Sequence, residues 1–337
     1  MKEAVLYEKL KEKRVKCNLC NHHCQILPQK RGICGVRENH EGRLFALTYA
    51  KAISEAVDPI EKKPFYHFLP GTKSLSIATL GCNFRCDNCQ NWQISQGSKG
   101  EAIISGFDLP PEKVVEDAKK QGCPSIAYTY TEPTIFFEYA FDCMKLAKKE
   151  GIKNVFVTNG YMTADMLEMS KGYLDAANVD LKFFDDKLYL SNCGGHLQPI
   201  LDNLKTMRKL GIWVEITTLS IPNLSDSKEM FEKIAQFIKN ELGDEVPWHI
   251  SRFSAGISYK LTDLKDTSLN TLEMAYDIGK KAGLKYVYLG NVPGHESENT
   301  FCPKCRTKVI ERIGYQIKRI DKNGCCPKCG YKLELII

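Results

Sequence analysis

The stretch Gly81–Trp92, GCNFRCDNCQNW, decides how the rest of the chain reads. Cys82, Cys86 and Cys89 stand at C-x3-C-x2-C spacing, directly after the apolar run Leu75-Ser76-Ile77-Ala78-Thr79-Leu80. A short loop after a strand can wrap three thiolates round one centre, and thiolates are what soft metals and iron–sulfur clusters need. Such clusters usually take four cysteines, so three leave one iron open to another ligand. A structural zinc site wants four protein ligands, and no His or Cys follows closely enough to complete one. Gly81 supplies a residue that tolerates positive φ where the chain leaves the strand.

Working outward, the chain from about residue 71 alternates strand-like and helix-like runs. Short β-branched, aromatic or apolar runs at 75–80, 125–130, 154–158, 177–181, 213–219, 248–253 and 286–289 predict strands. Segments 111–121, 135–150, 197–210, 228–242 and 269–282 predict the helices between them. Repeated strand–helix order implies parallel strands with right-handed crossovers. Both a doubly wound sheet and a barrel satisfy that order. In a barrel, chemistry belongs at the C-terminal ends of the strands, and the motifs fall there. Thr131-Glu132-Pro133-Thr134 follows one strand and Thr158-Asn159-Gly160 ends the next. Asp180 and Lys182 alternate with apolar residues, so both face one side, and Glu215 and Thr217 do the same. His249 and Arg252 lie in Trp248–Phe253. Each has a plain structural reading too: Glu-Pro starts helices, Asn-Gly makes turns, and a histidine beside tryptophan is commonly a satisfied core group.

Two further cysteine groups flank this region. Residues 1–70 hold Cys17-x2-Cys20-x3-Cys24 and Cys34 in a turn-rich stretch, a metal site that suits zinc on four thiolates or an auxiliary iron–sulfur cluster. His22 and His23, between them, read as exposed loop histidines. In residues 296–337, Cys302-Pro-Lys-Cys305 and Cys326-Pro-Lys-Cys329-Gly330 make C-x2-C-x20-C-x2-C, a zinc ribbon. Zinc there would supply folding stability that so short a segment cannot draw from a core of its own. The expected division is therefore an N-terminal cysteine-rich segment (1–70), a catalytic domain (71–295) and a C-terminal ribbon (296–337). Of the remaining cysteines, Cys123 and Cys143 read as core residues and Cys325 neighbours a ligand. Cys193, in Asn192-Cys193-Gly194-Gly195, is a candidate hydrogen-atom donor or substrate contact.

Composition narrows the class. The chain has 337 residues, 43% hydrophobic and 26% charged, with 15 cysteines. No apolar run approaches a membrane span, and the N-terminus MKEAVLYEKLKEKRVKC lacks the apolar core of a signal peptide. So many cysteines without a secretory signal point to metal and redox chemistry in a reducing cytoplasm. The formal charge of +6 falls to about +1 once one cluster and two zinc sites are counted with ligated thiolates. With Lys and Glu interleaved, this argues against nucleic-acid binding.

The quoted loop, in its place after the first predicted strand, resembles the signature of radical S-adenosylmethionine (SAM) enzymes. The longer string resembles the branch containing pyruvate formate-lyase activating enzyme, and with the N-terminal cysteines it looks like the radical SAM member of the AmmeMemoRadiSam group. The resemblance implies an open, partial (β/α)6-type TIM-like barrel carrying a 4Fe–4S cluster on Cys82, Cys86 and Cys89. SAM would chelate the open iron and be cleaved reductively to a 5′-deoxyadenosyl radical that abstracts hydrogen. It implies SAM contacts from Glu132, Asn159, Gly160, Asp180, Lys182 and His249. Asn88 stands where the family commonly has an aromatic residue near adenine, which leaves Phe84 or Trp92 for that role. A ferredoxin- or flavodoxin-like protein would supply the electron. Asp180 and Lys182 resemble the Asp-x-Lys of glycyl-radical-enzyme activases, which implies a glycine on a partner protein as substrate; a small molecule or a lipid is the other reading. The competing class is a non-enzymatic multi-zinc protein that binds nucleic acid.

Overall fold

A computed structural model describes residues 1–99 and 103–337. Its centre is an eight-stranded sheet. The strands in chain order are β1 (Ser54–Pro59), β2 (Lys73–Ala78), β3 (Ser125–Tyr128), β4 (Lys153–Thr158), β5 (Ala176–Asp180), β6 (Trp213–Ser220), β7 (Trp248–Arg252) and β8 (Val287–Gly290). Spatial order equals chain order, and every neighbouring pair from β2 to β8 is parallel. β1 lies antiparallel on β2, so the sheet draws on residues expected in the N-terminal segment. β1 and β8 do not pair, leaving the barrel partial.

The crossovers carry α1 (Pro111–Lys120), α2 (Phe137–Lys149), α3 (Ala164–Ser170), α4 (Leu197–Lys209), α5 (Lys228–Phe237) and α6 (Leu269–Ala282). Both faces of the sheet are covered, which is why its strands read as nearly unbroken apolar runs. Ile126, Tyr128, Val179, Ile216 and Ile250 pack into the main core with the helices, as do Cys123 and Cys143. The opposite face, lined by Ala127, Val155 and Ala176, packs on Ile60, Phe65 and Phe68 from the β1–β2 connection. That connection plugs the barrel from inside and forms its floor.

The N-terminal residues make two three-stranded sheets, Lys2–Glu3 with Arg43–Ala46 and Arg37–His40, and Tyr7–Lys9 with Val15–Cys17 and Gln25–Ile26. They are fastened to the barrel by Arg37, whose two terminal nitrogens each lie 2.8 Å from a Glu138 oxygen in a buried bidentate pair. The C-terminal residues add the hairpin β9 (Lys308–Ile313) and β10 (Gln316–Arg319). The chain then returns to the floor, where Leu69 N donates to Ile336 O at 2.7 Å and Ile336 N to His67 O at 2.9 Å. Among the described residues no helix is long and apolar enough to cross a membrane.

Candidate active site

The cysteine loop leaves β2 at Gly81, whose φ is +101°. A Cβ there would stand 2.7 Å from Val36 Cγ1 and 2.9 Å from the Cys34 carbonyl oxygen, so the N-terminal segment also demands glycine. Beyond it Cys86 is buried and Cys82 and Cys89 half-buried. The Phe84 N–H donates to Cys82 Sγ at 3.4 Å, and Cys89 Sγ lies 3.3 Å from Ser95 Oγ. Burial is the main cause that pushes the Cys82 and Cys89 thiols up, so metal binding must displace their protons. Lys99 donates to the carbonyls of Ile33 (2.6 Å) and Cys82 (2.9 Å), clamping the loop to the N-terminal segment.

Hydrogen bonds tie this loop to the next strand ends. Asn91 Nδ2 donates to the Tyr130 carbonyl at 2.9 Å, just past β3. Asn159 Nδ2, past β4, donates to Asn83 Oδ1 at 2.7 Å. Glu132 is buried, and its Oε1 accepts from Thr134 N (3.0 Å), Thr134 Oγ1 (2.6 Å) and Thr158 Oγ1 (2.7 Å). Its Oε2 accepts from Asn159 N at 2.8 Å. Burial raises its pKa, opposed by those donors. Glu132 therefore acts first as a brace between β3 and β4, with one oxygen less occupied than the other. Gly160 (φ +72°) passes so close to β5 that a Cβ would meet Val179 Cγ1 at 2.9 Å.

At the end of β5, Lys182 Nζ donates to Asp180 Oδ2 at 2.6 Å. Burial works against the lysine charge, but Asp180, Cys86 and Cys193 outweigh it and hold its pKa up. Lys182 N also donates to the Tyr189 hydroxyl at 2.9 Å, and the hydrogen bonds above join the cysteine loop to the ends of β3 and β4.

His249 does not join them. Its Nε2 donates to Glu215 Oε2 at 2.7 Å, its ring stacks on Tyr288 at 5.3 Å, and it is 2% exposed. Glu215, wholly buried, also accepts from the N–H groups of Tyr66 (2.9 Å), His67 (2.9 Å) and Phe68 (3.1 Å). The expected SAM contact at His249 is corrected: this histidine belongs to the floor. Alternation along β7 gives the face a side chain points to, not the layer it occupies.

The aromatic candidates also separate. Phe84 is 1% exposed and packs between Tyr161 and Tyr189, whereas Trp92 reaches the surface and stacks on Tyr259 at 5.2 Å. His22 is half-buried rather than exposed, with Nε2 2.9 Å from the Asn83 carbonyl. Asn83 and Asn91 were not singled out from sequence; their only signal is membership of the quoted string.

The tail cysteines converge. The sulfurs of Cys302, Cys305, Cys326 and Cys329 lie within 4.8 Å of one another, the only such ligand group among the described residues. The 302–329 and 305–326 sulfur distances are 3.6 and 3.5 Å, near the roughly 3.8 Å edge of a tetrahedron with 2.3 Å Zn–S bonds. Cys17, Cys20 and Cys34 are buried beside the loop and Cys24 half-buried, without single-ion convergence.

The profile of the Radical SAM superfamily matches residues 76–238. A putative glycyl-radical enzyme activating enzyme of Methanocaldococcus jannaschii, MJ1632, is 31% identical over 53% of this chain and 67% of its own. The chain belongs to the radical SAM superfamily. An uncharacterized protein of the same organism, MJ0808, is 45% identical over the full length of both chains. The pyruvate formate-lyase-activating enzyme of Clostridium pasteurianum is 29% identical over 58% of this chain and 85% of its own. Among solved structures, Streptococcus suis SuiB bound to S-adenosylmethionine shares the fold, with a TM-score of 0.51 at 16% identity over 65% of this chain and 51% of that one. Radical SAM membership implies a 4Fe–4S cluster and SAM. The donor set fits that pair: three thiols on one loop, with Asn83 Nδ2 and Asn88 Oδ1 buried beside them and lacking a hydrogen-bond partner among the described residues.

Proposed function

We propose that this radical SAM enzyme, of the activase-like branch, abstracts hydrogen from a glycine of a partner protein. The observation that carries the reading is the Asp180–Lys182 pair, 2.6 Å apart at the end of β5. The names of two relatives as activating enzymes support it. Bound together, a reduced 4Fe–4S cluster and SAM supply a 5′-deoxyadenosyl radical.

Each residue then has a task. Cys82, Cys86 and Cys89 hold three irons. Lys182 offers its ammonium to the SAM carboxylate, and Asp180 keeps that ammonium charged and aimed. Asn159 and Gly160 would serve the SAM sugar and carboxylate from the end of β4. Glu132 holds the β4 end in place, and its less occupied oxygen would accept from the SAM amino group. The tail thiols hold zinc, and the N-terminal thiols hold a second centre, zinc or an iron–sulfur cluster. A ferredoxin- or flavodoxin-like protein delivers the electron.

The test is anaerobic turnover of the reconstituted protein with SAM and dithionite, followed by protein fractions from cells grown on α-deuterated glycine. Deuterium in 5′-deoxyadenosine, with a protein radical whose electron-spin-resonance doublet collapses on deuteration, is the expected result. Deuterium arriving only from a protein-free metabolite or lipid fraction overturns the protein-substrate reading in favour of a small molecule or lipid.

A further inference from the structure

Two asparagines of the cysteine loop end differently. Asn91 Nδ2 is occupied by the Tyr130 carbonyl. Asn83 is 1% exposed, and its Nδ2 has no acceptor among the described residues. Neighbours fix which way round the Asn83 amide sits. Tyr161 N donates to Asn159 Oδ1 at 3.0 Å, which makes Asn159 Nδ2 a donor. That nitrogen lies 2.7 Å from the Asn83 side chain, so the atom it meets is the acceptor, Oδ1. The two N–H bonds of Asn83 Nδ2 are left over.

Nor can the residue swing away to find an acceptor. Its carbonyl oxygen is 2.9 Å from His22 Nε2, a contact in which the ring nitrogen must carry the proton. Asn83 is thus held at its main chain by the N-terminal segment and at its side chain by the end of β4. Cys82 Sγ lies 3.8 Å from Oδ1, so the amide stands against the first cysteine of the loop. A buried N–H without an acceptor is costly, and folded proteins rarely leave one. Two on one amide in this position call for an acceptor from outside the chain. A negatively charged group takes such a donor more strongly than a neutral one. The loaded centre offers two of that kind, a cluster sulfur and the SAM carboxylate.

We propose that Asn83 donates its side-chain N–H to an anionic acceptor of the loaded centre, a cluster sulfur or the SAM carboxylate. The proposal rests on the reading that Cys82, Cys86 and Cys89 hold a 4Fe–4S cluster to which SAM binds. In this role Asn83 ligates no metal, and no covalent bond is made or broken. It links Cys82, its neighbour in the chain, to Asn159, which the same reading gives to SAM.

The test places nitrogen-15 in the Asn83 side-chain amide alone, by cell-free synthesis with a suppressor tRNA charged with labelled asparagine. The reconstituted, reduced protein is then examined by pulsed electron-spin resonance without SAM. Iron content and SAM affinity are measured for wild type, Asn83→Asp and Asn83→Leu. Asn83→Asp keeps the acceptor that Asn159 uses and removes the donor, whereas Asn83→Leu removes both at similar volume. The expected result takes one of two forms. A nitrogen-15 coupling to the cluster identifies a cluster sulfur as the acceptor. No coupling, with iron unchanged and SAM affinity about tenfold lower or more in both variants, identifies the SAM carboxylate. Any other pattern without the coupling, including loss of iron from both variants, overturns the proposal alone. A wild-type protein that assembles no cluster on its three loop cysteines overturns the underlying reading as well.

Discussion

Glu215 and His67 carry the floor of the barrel between them. Glu215 takes three backbone N–H groups, His249 and the Trp213 indole (3.2 Å) on two oxygens. Burial raises its pKa, but the His249 bond and the neighbouring charge outweigh it, and the net shift is down. Its charge therefore stabilises the fold above the ordinary carboxylate range, and that contribution is lost as pH falls through the lowered native value. In Glu215→Gln an amide replaces an oxygen that must accept, and about 3–5 kcal/mol of stability should disappear, read from the urea midpoint at pH 7. His67 must likewise stay deprotonated, here as a neutral imidazole. Its Nδ1–H donates to the Glu334 carbonyl at 2.7 Å and its Nε2 faces the Tyr288 hydroxyl at 2.6 Å, leaving no place for a second proton. Burial pulls its pKa down to about 4. The unfolded chain binds that proton below pH ~6.5, so the contribution is complete above 6.5 and lost as pH falls toward 4, roughly 3 kcal/mol in all. Urea titrations from pH 7.5 to 4.5 should show wild type losing more stability across this window than His67→Gln. Equal slopes would remove His67 from the account. At the rim, Cys82→Ala, Cys86→Ala and Cys89→Ala should each abolish SAM cleavage, measured as 5′-deoxyadenosine, while leaving the thermal midpoint within a few degrees.

The elements that hold the rim are loops rather than strands. Phe84 anchors the cysteine loop between Tyr161 and Tyr189 and has no room to retreat. Gly195→Ala places a methyl group 2.4 Å from its ring, an overpacking that should cost about 1–3 kcal/mol. It should also loosen the cysteine loop. Iron retained per chain after desalting is the measure, and full retention with an unchanged urea midpoint would show that the loop does not depend on this contact. Strands and helices were the legible part of the sequence: two buried faces leave continuous apolar runs, and amphipathic helices separate them. The tail cysteines were legible because Pro and Gly knuckles fix their spacing. The floor was not. Residues 60–69, IEKKPFYHFL, have no period of their own, and nothing local says that they enter the barrel. His249 was read as a rim residue, and Glu215 was placed only by its face, because alternation reports a face and is silent about height. The π-turn at Tyr189–Cys193 was unreadable for a similar reason, since its geometry is imposed by Arg85 and Asp87 from a distant part of the chain.

Across the whole molecule, the parts expected as separate segments are stitched together at the floor. Arg312 of β9 donates to the Tyr66 carbonyl at 2.8 Å and lies 4.2 Å over the Tyr66 ring. His67 and Leu69 bond to Glu334 and Ile336. A metal on the tail cysteines would therefore support more than the tail. Cys302→Ser should lower the thermal midpoint and raise amide exchange at Tyr66, His67 and Phe68 as well as within residues 302–333. Faster exchange confined to the tail would show that ribbon and floor are independent. The same stitching bears on how the protein is made. Residues 66–69 leave the ribosome long before 334–336 do, so the barrel floor waits, half-bonded, until residues 334–336 have been synthesised. Glu215, buried only when that floor is in place, spends this interval in water.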